Sequence, residues 1–221
     1  MTFLHWRVPV AVVGALLPDW LTVDTFDASA WVSLVPFRMR VRAPVGPAVP
    51  WLGRFAETNV RTYAIAPSGE RGLWFLSLDA ARLAFVAAAR ASGLPYAWSS
   101  MRIEERARTV EYRTDARLLG GRDARSVVEV RPGAPLSDAE VSLLDRFLTA
   151  RFRLFADGPL GPFTIPVEHR RWPLRRAAVE VLDDDLVAAS GVPVEGDPLV
   201  LYADGVDVRV GFPAAVRRSD S

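Results

Sequence analysis

Turn-forming residues recur along this whole chain and divide it into short segments. The 221 residues include 17 prolines and 15 glycines, which are spread throughout rather than pooled. Because these residues interrupt regular structure, their spread favours many short strands joined by short connections. One stretch, Ala43–Gly53, contains three prolines and two glycines and predicts a surface loop. The length allows one large all-β or α+β domain, or two small domains.

Strand-like segments lie at hairpin distance from one another. Arg54–Ala66 and Gly72–Leu78 flank the turn Pro67-Ser68-Gly69, and Leu21–Arg42 predicts a second hairpin that turns at Asp27-Ala28-Ser29. Further strands are predicted at Tyr96–Glu105, Thr109–Arg117, Ser126–Arg131, Phe163–His169, Arg176–Leu182, Leu199–Ala203 and Val206–Val210.

Helical patterns are fewer than strand patterns. Two main helices are predicted: Asp79–Ala91, which begins with an acidic N-cap, and Asp138–Phe152, which a capping box at Ser137–Glu140 opens. Shorter helices are predicted at Val8–Leu17 and Asp184–Ala189. Many strands and only two main helices favour an α+β fold on one curved, barrel-like and mostly antiparallel sheet, rather than a doubly wound fold.

The charge and hydropathy of the chain argue against two classes of partner. The formal net charge is +1, which gives no basic footprint for nucleic acid or an anionic membrane surface. The longest apolar runs, Val8–Pro18 and Leu83–Ala89, are shorter than the roughly 20 residues of a spanning helix. The N-terminal segment lacks the pattern of a secretion signal. We therefore expect a cytoplasmic protein without nucleic-acid or membrane partners.

Two residue types are absent from the sequence, and both absences bear on its chemistry. All 27 basic side chains are arginine, so no lysine can form a Schiff base with a carbonyl substrate or pyridoxal phosphate. Cysteine is absent as well, which removes thiolate nucleophiles and sulfur ligands. His5 and His169 are isolated, and Asp183-Asp184-Asp185 is typical of a helix start. We expect neither a metal nor a cofactor.

The most informative strand is the one that contains Phe55–Tyr63. Because side chains alternate faces along a strand, Glu57, Asn59, Arg61 and Tyr63 share one side. Successive residues of such a row lie about 7 Å apart, so neighbours can hydrogen-bond to one shared ligand. The alternative interpretation is a row that faces solvent in a half-buried strand.

Arg90 lies on the apolar stripe of the first predicted helix. Helical spacing places it beside Leu83, Val86 and Ala87. A buried arginine needs a partner, and Glu57 is a natural candidate. The alternative is that Arg90 lies at the surface, where it offsets the dipole at the helix C-terminus. The sequence favours the two interpretations equally.

Several blocks of residues resemble a known family. They are His5-Trp6, Leu17-Pro18, Leu21–Asp24, Ala30–Val32, Pro36-Phe37, Glu57–Tyr63, Phe75–Asp79, Gly93–Tyr96, His169, Trp172–Leu174, Tyr202 and Gly205–Val208. Together they resemble the YqjF-like family of uncharacterised bacterial proteins over nearly the whole chain. The resemblance implies one domain over residues 1–221, with a fold similar to that of acetoacetate decarboxylase.

The resemblance also suggests how the decarboxylase pattern is changed here. The strand glutamate of acetoacetate decarboxylase would correspond to Glu57, and the arginine at its helix end to Arg90. Its Schiff-base lysine would correspond to Tyr96, and its second lysine to Ala97. We therefore do not expect Schiff-base decarboxylase activity, although the resemblance implies a pocket with a carboxylate, an arginine and a phenol.

Two functions remain open from the sequence. The first is a pocket, catalytic or derived from an enzyme, for a small organic acid or carbonyl compound. Arg61 or Arg90 would hold a carboxylate, Glu57 would move a proton, and Tyr96 would donate to a developing oxyanion. The second is a non-catalytic ligand-binding or structural domain. We expect Glu57, Arg61, Arg90 and Tyr96 around one partly enclosed cavity, with Glu57 paired to Arg90. The sequence leaves a homo-oligomer open.

Overall fold

The computed structural model describes residues 1–40, 54–83, 86–87, 90 and 93–216. Its strands are β1 (Thr2–Val8), β2 (Thr22–Val23), β3 (Ala30–Arg40), β4 (Arg54–Ile65), β5 (Arg71–Ala80), β6 (Tyr96–Glu105), β7 (Val110–Leu119), β8 (Ser126–Pro135), β9 (Arg153–Gly158), β10 (Gly161–His169), β11 (Leu174–Asp184), β12 (Leu199–Ala203), β13 (Val208–Val210) and β14 (Ala214–Ala215). Its helices are α1 (Val10–Gly14), α2 (Leu143–Thr149) and α3 (Leu186–Ala189). Between β5 and β6, the described residues Leu83, Val86, Ala87 and Arg90 are helical. The loop predicted at Ala43–Gly53 lies outside the described residues.

The strands form a sheet that closes on itself. Its hydrogen-bonded order is β13-β10-β9-β5-β6-β7-β8-β11-β12-β1-β3-β4-β2, and β4 also pairs with β5. This additional pairing makes a ring of the nine strands from β5 round to β4. The pairings of β5 with β6 and with β9 are parallel, and the other pairings among the described strands are antiparallel. The predicted α+β fold with a mostly antiparallel, curved sheet is confirmed.

Apolar side chains fill the inside of the ring. One core cluster draws residues from every ring strand, including Trp6 of β1, Val60 of β4 and Tyr112 of β7. Because side chains alternate along a strand, the residues next to Val60 point out of the ring. The outside of the ring at β4 and β5 is covered by helical residues. Phe147 and Leu148 of α2 pack there on one cluster, and Val86 packs on another.

The first main helix begins later than predicted. Asp79, the expected N-cap, lies in β5, and the described helical residues begin at Leu83. The reason is that the Asp79 carboxylate accepts hydrogen bonds from Arg117 and two serines instead of capping a helix. An acidic residue before a helical pattern has the same sequence signature in both situations.

The second main helix is also shorter than predicted. The Glu140 carboxylate does accept from the main chain and hydroxyl of Ser137, but the Glu140 N–H donates to the Ser137 main-chain oxygen, which closes a turn rather than a helix. The capping box that opens α2 is formed by Ser142 and Asp145. The predicted helix at Asp138–Phe152 is therefore reduced to Leu143–Thr149.

The predicted hairpin at Leu21–Arg42 is wrong. Asp27 and Ala28 both adopt positive φ angles, 50° and 56°, so the chain does turn there. Only one bridge, between Phe26 and Ser29, joins the two sides of that turn. Beyond this bridge β2 and β3 separate, and each pairs with a different part of β4.

Several other boundaries match their prediction, and three strands, β1, β9 and β14, were missed. The bounds of β6 and β12 are those expected. β1 was missed because it is buried on both faces over most of its length and lacks the polar alternation that marks a half-buried strand. The short helices shrink to α1 and α3. None of the helices in the described parts of the chain is long and apolar enough to cross a membrane.

Candidate functional site

The polar row of β4 lies under the covering helices rather than in solvent. We call Glu57, Asn59, Arg61 and Tyr63 the β4 row; all four are buried, and Arg61 is the most exposed at 8%. The antiparallel register with β3 places Val35 beside Asn59 and Ser33 beside Arg61. The row therefore lies on the outer face of the ring, where the helical residues cover it. The interpretation of a row that faces solvent is wrong.

Glu57 and Tyr96 meet at one end of the row. The Tyr96 hydroxyl donates to Glu57 Oε2 at 3.2 Å. Register explains the contact: Glu57 is opposite Ala80 of β5, and the parallel pairing of β5 with β6 brings Tyr96 beside Leu78 on the same face. Burial raises the pKa of Glu57 to about 8, and the nearby Asp79 carboxylate adds to this, although the Tyr96 hydrogen bond opposes it. At neutral pH the Glu57 carboxyl group thus largely keeps its proton.

Arg61 is a buried cation without an acidic partner among the described residues. Its Nη2 contacts the Leu148 carbonyl oxygen at 3.5 Å, and its Nε has no hydrogen-bond partner. The guanidinium carbon lies 5.6 Å from the centre of the Phe3 ring. Burial lowers the pKa of Arg61, and Tyr63 partly offsets this. A guanidinium remains protonated in proteins, so its charge persists under α2.

A second set of polar groups continues the row onto neighbouring strands. The Ser33 hydroxyl lies 2.6 Å from His5 Nδ1 and 2.7 Å from the Tyr63 hydroxyl, which also donates to the Leu148 carbonyl at 2.9 Å. Burial, followed by the charge of Arg61, holds the pKa of His5 well below its usual value, so the imidazole is neutral. Sequence reasoning missed His5 and Ser33 as members of this site, although His5 falls in a block that resembles the family.

Three buried polar atoms in this region lack a hydrogen-bond partner. They are His5 Nε2, Asn59 Oδ1 and Arg61 Nε. Their residues occupy neighbouring positions, because His5 pairs with Ser33 and Ser33 pairs with Arg61. Most buried polar groups in proteins are hydrogen-bonded, so such a group of unsatisfied atoms suggests a bound water or ligand.

Arg90 does not pair with Glu57. Its side chain is exposed, and its Nη1 donates to the main-chain carbonyl of Tyr96 at 2.7 Å. No ion pair between Arg90 and Glu57 occurs within the described residues. The expected Glu57–Arg90 pair is wrong, because the helical residues near Arg90 turn Val86, rather than Arg90, toward the sheet.

A polar network inside the ring was not predicted. Asp79 accepts from Arg117 Nε at 2.7 Å and from Ser99 at 2.7 Å, while Ser77 contacts both Asp79 and Arg117. A bulge between β6 and β7 sets Arg117 opposite Ser99 and so turns it inward. The sequence held one signal for it. Ser77 and Asp79 are two residues apart, so they share one face of a strand, and both fall in a block that resembles the family.

Neither of two cavities that open on the described part of the chain is lined by the β4 row. One, of about 620 Å³, lies beside α2 and is lined largely by arginine and phenylalanine. The other, of about 320 Å³, lies near Trp74 and Leu94. The cavity expected around Glu57, Arg61 and Tyr96 therefore stays a prediction. Within the described residues, no group of three or more His, Asp or Glu side chains is placed to hold a metal ion.

Several solved structures have a fold similar to that of this chain. Solved structures of similar fold include an acetoacetate decarboxylase-like enzyme from Sphingomonas wittichii RW1, with a TM-score of 0.64 and 13% identity over 98% of this chain and 89% of that one. An acetoacetate decarboxylase from Legionella pneumophila has a TM-score of 0.62 and 13% identity over 97% and 84% of the two chains. The enduracididine biosynthesis enzyme MppR has a TM-score of 0.66 and 10% identity over 96% and 84%. At these identities the likeness shows the fold alone.

Sequence similarity identifies the family. The chain is 34% identical over 209 residues to the uncharacterized protein YqjF of Bacillus subtilis strain 168, which covers 93% of this chain and 85% of that protein. Residues 1–207 match DUF2071, a family described as an uncharacterized conserved protein. The chain belongs to the DUF2071 family, and its structure is of the acetoacetate decarboxylase-like fold.

Proposed function

We propose that the β4 row binds a small organic acid, whose carboxylate is held by Arg61. The observation that carries this proposal is the buried Arg61 guanidinium, which has no carboxylate partner among the described residues and an unsatisfied Nε. A buried charge is costly unless it is paired, and a carboxylate is the partner whose geometry fits a guanidinium. An anionic ligand would supply the charge that the chain does not.

The neighbouring groups suggest what else the ligand carries. The unsatisfied Asn59 Oδ1 accepts hydrogen bonds only, so it fits a hydroxyl or amine donor on the ligand. Glu57 is mainly protonated at neutral pH and can donate to a carbonyl oxygen. A short acid with a keto or hydroxyl group beside its carboxylate would engage the neighbours Arg61 and Asn59 of the row, with Glu57 one step further along it.

A similar structure supports this class of ligand. MppR, which shares the fold at 11% identity and a TM-score of 0.60, has been solved in complex with pyruvate, a small keto acid. We extend only the chemical class, a short keto acid, to this chain. Tyr96 and Ala97 stand where the resemblance places the decarboxylase lysines, so we propose binding without a Schiff base. Glu57 would be the group able to move a proton.

The second candidate is a non-catalytic domain that keeps the fold. It is favoured by the burial of Glu57 and Tyr96, which neither described cavity reaches. In that case the unsatisfied atoms of the row would hold only ordered water.

Ligand-dependent thermal stability distinguishes the two candidates. We expect pyruvate, lactate and acetoacetate to raise the unfolding midpoint of the native protein as their occupancy rises, because they bind the folded state only. The neutral analogues acetone and lactamide should have no such effect. The shift should disappear in Arg61→Met, which keeps the apolar stem but not the charge.

Two further variants make the test specific. Asn59→Asp would give Arg61 an internal carboxylate and should also abolish the shift. Arg131→Met removes an exposed arginine that pairs with Glu180 at 2.8 Å on the surface, and should leave the shift intact. If no carboxylate stabilises the native protein at millimolar concentration, or if Arg61→Met responds as the native protein does, the proposal is wrong.

A further inference from the structure

The larger cavity is lined by an unusual concentration of arginine. Four arginines, Arg71, Arg146, Arg151 and Arg153, line its volume of about 620 Å³, and Glu70 is the acidic residue that lines it. We call this the arginine cavity. Its volume falls within the range of about 300–1,000 Å³ that is usual for small-molecule sites.

The acids near the arginine cavity do not balance its charge. Asp24 Oδ2 accepts from both Arg71 Nε at 2.8 Å and Arg151 Nη1 at 2.7 Å, so one carboxylate serves two guanidinium groups. Arg153 pairs with Glu70 at 2.6 Å. Within the described residues, four guanidinium charges thus meet two carboxylates, which leaves an excess of two positive charges.

Arg146 has no carboxylate partner in the described part of the chain. Its Nη2 donates to the main-chain oxygen of Asp138 at 2.8 Å, which satisfies a hydrogen bond without neutralising charge. Arg151 lines the same cavity, is buried, and has an Nη2 without a hydrogen-bond partner. The cavity therefore offers donors as well as charge.

The arginines are held in place before any ligand binds. The guanidinium carbons of Arg71 and Arg151 lie 5.3 Å and 4.4 Å from the centre of the Phe147 ring. Arg151 Nε also donates to the Phe147 carbonyl at 2.7 Å. Side chains fixed in this way lose little further freedom when they bind an anion, which favours affinity.

Apolar side chains at the same cavity are left in solvent. Leu143 is 75% exposed and Phe152 is 46% exposed, and both line the arginine cavity beside the partly buried Phe26. Exposed apolar groups next to a concave charged surface are typical of a site that binds a ligand with an apolar part.

We propose that the arginine cavity binds a small molecule with two negative charges at one end, a phosphate monoester or a dicarboxylate, and an apolar or aromatic body. The two charges match the excess charge of the cavity, and the body packs on Leu143 and Phe152. This inference goes beyond the function proposed above, because none of these residues belongs to the β4 row.

Isothermal titration calorimetry with simple probes tests the proposal. In a phosphate-free buffer at low ionic strength, we expect phenyl phosphate or phthalate to bind at least about tenfold more tightly than inorganic phosphate, because an aromatic body adds apolar burial. The tighter of the two aryl probes identifies phosphate or dicarboxylate as the anionic group. Phenol, which has the body without the charge, should not bind.

Variants separate this site from the rest of the molecule. Arg146→Met should weaken the aryl dianion by about tenfold or more, because a charge-assisted contact is lost. Phe152→Ala should weaken the aryl dianion but not inorganic phosphate. The surface control Arg131→Met should bind as the native protein does. The proposal is overturned if no dianion binds at millimolar concentration, if inorganic phosphate binds as tightly as both aryl probes, or if Arg146→Met binds unchanged.

Discussion

Glu57 lies in surroundings that favour its uncharged form. It is buried, faces a phenol rather than a cation, and lies near a second carboxylate, Asp79, on the other side of the sheet. His5 is also buried and also uncharged, but it titrates in the opposite sense, because its neutral form is the deprotonated one. Two neutral groups therefore lie near the charged Arg61, Glu57 along β4 and His5 across β3.

The raised pKa of Glu57 predicts how stability depends on pH. The folded protein keeps this proton to about pH 8, whereas the unfolded chain releases it near the ordinary glutamate pKa of 4.5. The contribution of Glu57 to the free energy of unfolding should therefore be highest below pH 4.5 and should fall as the pH rises from there through 8. Glu57→Gln removes the titration, so its stability relative to the native protein should increase over that range. The gain is on the order of 5 kcal/mol, at about 1.4 kcal/mol per pKa unit.

Urea unfolding of both proteins from pH 4.5 to 9 measures this difference. Subtracting one curve from the other removes contributions that the two proteins share, including that of His5. Glu180→Gln, on the surface of β11, is the matched control and should show no such trend. A difference between the native protein and Glu57→Gln that does not change with pH would contradict the prediction.

The sequence predicted part of the residue-scale picture. The common face of the β4 row follows from alternation alone, and the contact of Glu57 with Tyr96 was expected from the resemblance. His5 and Ser33 could not be placed, because their contact with Arg61 depends on a register between strands far apart in the chain. Arg90 was misplaced because a stripe of four helical positions does not fix which one faces the sheet.

At the scale of elements, α2 covers the β4 row and depends on one buried acid. Asp145 accepts from the Ser142 main chain at 2.9 Å and from both terminal nitrogens of Arg176 at 2.9 Å. Burial alone would raise the pKa of Asp145, but the hydrogen bonds from Arg176 and Ser142 outweigh it and the pKa is lowered. The helix is thus capped and anchored to β11 by the same side chain.

Asp145→Ala should be much more destabilising than Glu140→Ala. The Asp145→Ala variant loses a helix cap worth about 1 kcal/mol and charged hydrogen bonds worth about 1.5–3 kcal/mol. We expect a cost of about 2–4 kcal/mol from these terms. Glu140 caps only an exposed turn, so its removal should cost under about 1 kcal/mol. Urea unfolding at pH 7 measures both, and equal losses would show that the sequence-predicted capping box matters as much as the one at Ser142.

This pair of boxes shows why helix boundaries were misplaced. Ser137 and Glu140 match the same pattern as Ser142 and Asp145, and in both pairs the acid accepts from the main chain and hydroxyl of the serine. Two contacts separate them: the Asp145 main-chain N–H donates to the Ser142 hydroxyl, whereas that of Glu140 donates to the Ser137 main-chain oxygen, and Asp145 also accepts from Arg176. The local sequence pattern therefore predicts that a cap can form, but it does not predict that a helix follows.

At the scale of the whole molecule, the Asp79–Arg117 network lies inside the ring and ties three strands together. Arg117 of β7 reaches Asp79 and Ser77 of β5, and Ser99 of the intervening β6 also donates to Asp79. The Arg117 side chain is 5% exposed and that of Asp79 is fully buried. The pair lies where β5 is paired along both edges, antiparallel to β4 and parallel to β6.

Arg117→Met should strongly destabilise the protein. It leaves the Asp79 charge buried without its cation, for which a loss of about 3–5 kcal/mol is typical. The double variant Asp79→Asn with Arg117→Met should recover part of that loss, since no charge is left unpaired. Arg102→Met, which removes an exposed arginine of β6 3.7 Å from Glu104, should change stability by under about 0.5 kcal/mol. A small effect of Arg117→Met in thermal and urea unfolding would show that the network is dispensable.

The ring also sets an order on how the chain can be assembled. β1 lies between β3, which follows it closely in the chain, and β12, where Thr2 meets Tyr202. As a ribosome releases the chain, β1 can find β3 early, but its other edge has no partner until β12, at Leu199–Ala203, has emerged. During that interval the edge is open to other strands, so the nascent protein is exposed to aggregation until β12 is made.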